Sequence, residues 1–64
     1  MNMQSVIEFY DGQKIVGQVY STMVPTVDSF ISIKGKTWRV VRITYALDHR
    51  QMRANVDLRE HLRD

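Results

Sequence analysis

"TWRVVRITYALD" (residues 37–48) is the stretch whose reading decides the fold. Trp38 and Val40 alternate in one direction, while Val41, Ile43, Tyr45 and Leu47 alternate in the other, with Arg42 between them. Side chains of an uninterrupted strand repeat every two residues, so the change of phase needs one extra residue. A β-bulge near Val40–Val41 supplies it and returns Trp38, Val40, Ile43 and Tyr45 to one inner side. Arg42 then faces outward.

The following residues give this strand a partner. A four-residue loop, Asp48-His49-Arg50-Gln51, sets Leu47 opposite Met52, Tyr45 opposite Ala54 and Ile43 opposite Val56. The same register sets Thr44 opposite Asn55 and Arg42 opposite Asp57. Arg42 is thus read as half of a cross-strand charge pair, a contribution of roughly 0.2–1 kcal/mol. Leu58 and Leu62 have helical spacing, but Met52, Ala54, Val56 and Leu58 alternate strictly. The alternation predicts a strand to Leu58 or Arg59, with a frayed tail or a short C-terminal helical turn after it.

Working upstream, "FISIKGKTWRVV" (30–41) reads as a hairpin turning at Gly35-Lys36, with glycine first as a type II′ turn requires. Ile33 would face Trp38 and Ile31 would face Val40, all inward. Ser32 opposite Arg39, and Lys34 opposite Thr37, would lie outside. A first hairpin is expected over Met3–Phe9 and Gln13–Tyr20, around Tyr10-Asp11-Gly12. It pairs Glu8 with Lys14, Ile7 with Ile15 and Val6 with Val16. Ile7, Phe9, Ile15 and Val19 are then inner, and Val6, Val16 and Tyr20 outer. Between the hairpins, "STMVPTVDS" (21–29) is the long connection, where Pro25 forbids a central strand.

Composition sets the frame. Sixty-four residues make one domain, 1–64, close to the lower limit for a chain that folds alone. With no cysteine, neither a disulfide nor a thiolate metal site can brace the core. Hydrophobic residues make up 44%, too many for a disordered chain. No apolar run reaches the roughly 18 residues of a membrane helix. Met1-Asn2-Met3-Gln4 carries no secretory pattern, so a cytoplasmic location without membrane attachment is expected. The predicted fold is all-β: five strands in meander order, forming an antiparallel SH3-like small barrel.

Catalytic chemistry finds no foothold in the sequence. His49 and His61 have no third ligand arranged around them, Asp48-His49 sits in a turn, and no serine has a nucleophile setting. No catalytic, metal or cofactor site is expected, and the reading is of a non-enzyme. Two binding surfaces compete instead. Net charge is +2, and it is unevenly distributed: one base and three acids in residues 1–32, eight bases and four acids in residues 33–64. Lys34, Lys36, Arg39, Arg50 and Arg53 form the candidate face for an anion or nucleic acid, on or beside the outer side of the last three strands. Val6, Val16, Tyr20, Phe30 and Val41 form the candidate protein-binding patch, with Met23 and Val24 read as cover for the barrel mouth. Either a host protein or a second copy would be its partner.

"VPTVDSFISIKGKTWRVVRITYALD" followed by "NVDL" resembles a pattern in short small-β-barrel proteins of phages and prophages. The matching positions are a Pro25-x-Val27 start, the Phe30, Ile31 and Ile33 strand, the Gly35-Lys36 turn, Trp38-x-Val40-Val41, and a closing Val56-Asp57-Leu58. Where such proteins often carry glycine after Pro-x-Val, Asp28 stands here. The resemblance implies an accessory role in the bacterial host cytoplasm, no catalytic residues, and action by binding a host component. That places protein binding ahead of nucleic-acid binding.

Overall fold

The structure, a computed structural model, describes residues 5–48 and 51–61. Five strands, β1 (Ser5–Asp11), β2 (Lys14–Ser21), β3 (Phe30–Ile33), β4 (Lys36–Asp48) and β5 (Gln51–Glu60), form one sheet in the order β2-β1-β5-β4-β3. The sheet curls into a half-barrel. Its inner side holds Ile7, Trp38, Val40, Ala54, Val56 and Leu58, all buried, with Phe9, Val16, Val24, Ile31, Ile33 and Ile43 packed around them.

The phase change in β4 is a bulge, as expected: Val40 pairs with Leu58 and Arg42 with Asp57, leaving Val41 as the extra residue. The rest of the β4–β5 register follows the sequence reading pair for pair, from Arg42–Asp57 to Leu47–Met52. The ladder runs one pair further than expected, to Asp48 opposite Gln51. β5 continues as a strand to Glu60, and the His61 amide donates to the Thr37 carbonyl at 2.9 Å. The helical alternative is thus excluded to that point, and the proposed terminal turn at 62–64 lies outside the described residues, as do Met3 and Gln4.

Three expectations need correction. The sheet is mixed, because β1 and β5 pair in parallel, Val6 with Arg53 through Asp11 with Leu58. Parity makes this unavoidable. Five successive strands that alternate in direction leave the first and last pointing the same way, so a seam between those two cannot be antiparallel. The meander is broken between β2 and β3, which are the two edges of the sheet. Their connection contains Pro25, and its end pairs instead with β4, where the Asp28 and Val40 amides donate to the Val40 and Ser29 carbonyls at 2.8 and 2.9 Å.

The other two corrections concern turns. The β3–β4 hairpin turns on Lys34-Gly35, both at positive φ (50° and 82°), so Ile33 pairs with Lys36 and Ile31 with Trp38. Two adjacent left-handed residues are what a type I′ turn demands. The resulting slip is by two residues, so Ile31, Ile33, Trp38 and Val40 keep the inner face. In the first hairpin Gly12 (φ 64°) begins a two-residue turn, and Asp11 pairs with Lys14. The pairs then jump from Tyr10–Ile15 to Phe9–Gly17, which makes Val16 an extra residue and brings Val6 opposite Tyr20. This second bulge exchanges two assignments: Ile15 is 51% exposed, whereas Val16 packs on the core.

Candidate functional site

The basic residues do not form a single stripe. Arg39, on the outer face of β4, lies directly opposite Arg59 on β5 and beside Phe30 on β3. Phe30 is largely exposed, and its ring meets the His61 ring edge-on with centroids 5.0 Å apart. Two like charges placed opposite each other on neighbouring strands destabilise a sheet. Neither has an ion pair among the described residues. Arg53 lies six positions along β5 from Arg59, roughly 20 Å away at the strand rise, with its guanidinium 4.0 Å from Glu8 Oε1. Lys34 and Lys36 belong elsewhere again. With Lys14 they rim a cleft between β2 and the β3–β4 turn, floored by Trp38 and flanked by Ile15 and Ile33. Arg50 lies outside the described residues. Arg59 and His61 were missed because β5 was expected to end at Leu58 or Arg59, whereas its pairing with β4 runs on past the bulge to Arg39 and Trp38.

The expected apolar patch is also dispersed. Val6 is 4% exposed, although it belongs to the outer side and not to the core cluster. Val16 faces the core, and Val41 is half-buried in its bulge. Tyr20 and Phe30 are exposed, but they sit on β2 and β3, the opposite edges of the sheet. Three of the remaining exposed apolar side chains, on β4 and β5, form a more coherent surface. Tyr45, Leu47 and Met52 continue the inner face toward the hairpin end, and with Val19 on β2 all four are exposed, Leu47 by 75%.

Length explains that surface. β4 has 13 residues and β3 only 4, so β3 and the Asp28–Ser29 segment cover β4 only as far as Val40. β1 flanks β5 from Arg53 to Leu58, so only the last two pairs of the β4–β5 hairpin, Leu47–Met52 and Asp48–Gln51, run past the other strands, whereas the free edge of β4 is longer. Beyond the bulge, residues 42–48 have β5 on one side and, among the described residues, no backbone partner on the other. Val40 directs both its N–H and C=O to the β3 side. The extra residue at Val41 passes that direction to Ile43, Tyr45 and Leu47, which are also the inward-facing residues. An open backbone ladder and an exposed apolar row therefore coincide. The registers of Tyr45 and Leu47 and the short β3 were legible in the sequence; that no further strand would cover β4 beyond Val40 was not.

Two polar features lie on the outer side. The Tyr10 hydroxyl donates to Glu8 Oε1 at 3.3 Å. Desolvation, and then the charge and hydrogen bond of Glu8, push the phenol pKa above its ordinary value. Asn55 Oδ1 is buried without a hydrogen-bond partner in the described structure, as is Trp38 Nε1 within the core. Among the described residues no three His, Asp or Glu side chains converge as metal ligands would. Nor is any helix among them long and apolar enough to cross a membrane. No family model, curated protein or solved structure matches the chain.

Proposed function

We propose that this chain is a non-enzymatic binding module that recognises protein by strand addition to the open edge of β4. The observation that carries this reading is the coincidence of the unpaired residues 42–48 with the exposed Tyr45 and Leu47. An added extended segment would gain main-chain hydrogen bonds from the edge, and alternate side chains would rest on the apolar row. Native sheets blunt such edges with lysine, proline or a bulge. Between Arg42 and Asp48 this edge reads Ile-Thr-Tyr-Ala-Leu, with none of them. A phage or prophage accessory protein acting on a host component in the bacterial cytoplasm, as the sequence pattern implies, would use such a surface. The half-barrel would then serve as an SH3-like scaffold does, presenting a contact surface on a small β core.

A displayed library of extended heptapeptides tests this. Peptides with alternating apolar residues should be enriched on the wild-type chain and lost on Leu47→Lys. Enrichment that ignores this substitution would place recognition elsewhere.

A second reading rests on Arg39, Arg59 and Phe30. A phosphate between the two arginines would relieve their repulsion, and an exposed ring beside them offers a base a stacking surface. Anisotropy with single- and double-stranded oligonucleotides should show binding that weakens steeply with salt and disappears in Arg39→Ala/Arg59→Ala. No binding at low salt would remove this reading.

A further inference from the structure

We propose that the strand added to β4 is β4 of a second copy, paired antiparallel about a twofold axis through Tyr45. This rests on the strand-addition reading above and names its partner. The argument is self-complementarity. A twofold contact presents the same surface from both sides, so each residue must suit the residue that the axis places opposite it. Centred on Tyr45, the register sets Tyr45 against Tyr45, Ile43 against Leu47 and Thr44 against Ala46 of the second copy. It also sets Arg42 at the position opposite residue 48, an aspartate. The two pairs on the inner row are of favourable kinds, aromatic with aromatic and apolar with apolar, and no like charges are placed opposite each other.

The backbone agrees with this register. Ile43, Tyr45 and Leu47 direct their N–H and C=O groups to the open edge, so Tyr45–Tyr45 and Ile43–Leu47 become pairs that exchange both hydrogen bonds. A shift of the axis by one residue, to Thr44 or Ala46, would bring together backbones turned the wrong way at the centre. The edge of β2 competes poorly, because the extra residue at Val16 interrupts its ladder. The joined β4 edges would make one sheet of twice as many strands, with the inner rows of both copies, Tyr45 and Leu47 included, side by side.

Sedimentation velocity on the full chain, from about 1 to 300 μM, should show a concentration-dependent dimer with a dissociation constant on the order of tens of micromolar. Leu47→Lys should weaken it by at least tenfold. Because Leu47 is 75% exposed, that variant should melt as the wild type does at concentrations well below the dissociation constant, where both are monomers. A monomer throughout the range, or a dimer indifferent to Leu47→Lys, would overturn the proposal.

The register has its own test, since the chain has no cysteine. Tyr45→Cys should cross-link under mild oxidation, as its paired Cα atoms would lie about 5.5 Å apart, within disulfide reach. Leu47→Cys should not, being roughly 13 Å from its counterpart. Equal cross-linking of the two would also overturn the proposal. Should the wild type stay monomeric while library peptides still bind in a Leu47-dependent way, this inference fails and strand addition stands. If neither is seen, both fail.

Discussion

Gly17 on β2 and Ile33 on β3 meet across the mouth of the half-barrel, although their strands share no hydrogen-bonded pair. A methyl group built on Gly17 would lie 3.7 Å from Ile33 Cδ1 and 3.6 Å from Phe9 Cδ2. The two sheet edges therefore approach by side-chain packing, at a point where one of them has no side chain.

The separations are ordinary contact distances, and Gly17 does not occupy the left-handed region. Gly17→Ala should raise stability by about 0.4–1 kcal/mol, mainly by narrowing the unfolded ensemble. Gly17→Leu should lower it by about 1–3 kcal/mol, by wedging the edges apart. Urea melts of the three proteins check the order. A destabilising Gly17→Ala would show that the edges already touch more tightly than these distances allow.

Arg42 and Trp38 sit four residues apart on β4 and should differ widely in consequence. The Arg42 Nε lies 3.7 Å from Asp57 Oδ2 in a pair whose side chains are 75% and 40% exposed. Solvent screens such a pair, so Arg42→Ala should cost under about 1 kcal/mol. Trp38 is 5% exposed in the core, and Trp38→Ala should cost about 3–5 kcal/mol. That is close to the whole stability of many small domains. Denaturation followed by far-ultraviolet circular dichroism reads both variants on one scale.

The opposed arginines yield a trade between stability and binding. Arg59→Glu replaces a like-charged pair by an opposite one and should stabilise the sheet by roughly 0.5–1 kcal/mol. The gain should shrink as salt rises. If the pair serves to hold an anion, the same substitution should abolish oligonucleotide binding, and thermal melts beside anisotropy separate the two effects.

Tyr10 gives a pH dependence with a definite sign. Its folded pKa lies above the ordinary value, first through desolvation and then through Glu8. The unfolded chain therefore releases this proton first. The contribution is intact below the unfolded value of about 10 and is lost as pH rises through the folded one. In Tyr10→Phe the alkaline decline in stability should be smaller over that window, as melts at stepped pH would show.

The sequence was most informative where two independent patterns constrained one register. In β4 and β5 the apolar alternation, the phase change at Val41 and the Arg42–Asp57 pairing all had to agree, and the structure shows the same pairs. In the first hairpin a three-residue loop and a Glu8–Lys14 pair set the register, and the structure has neither, since Asp11 pairs with Lys14 and Glu8 with Gln18. Beyond the bulge the slip is by an even number of residues, so Ile7, Phe9 and Val19 kept the inner face, whereas the extra residue at Val16 exchanged Ile15 and Val16. Turn chemistry fell short in a different way. Lys34 occupies a left-handed position that glycine and asparagine usually take, so Gly35-Lys36 looked the better turn. Site residues were the least legible, because Phe30 reaches Arg39 only through the two-residue slip of the β3–β4 turn, and Arg59 faces Arg39 only because β5 runs on to Glu60.

The parallel seam between β1 and β5 also bears on how the chain reaches its native state. Val6 pairs with Arg53, near opposite ends of the sequence, and between them β5 supplies the buried Ala54, Val56 and Leu58. A ribosome releases β5 after the other four strands, so the earlier hairpins must wait without the core it supplies. Contacts of such long sequence separation place folding on the slow side for a domain of this size, in milliseconds to seconds. The β4 edge would be exposed throughout that interval, making the newly made chain most prone to associate before β1 has found its place.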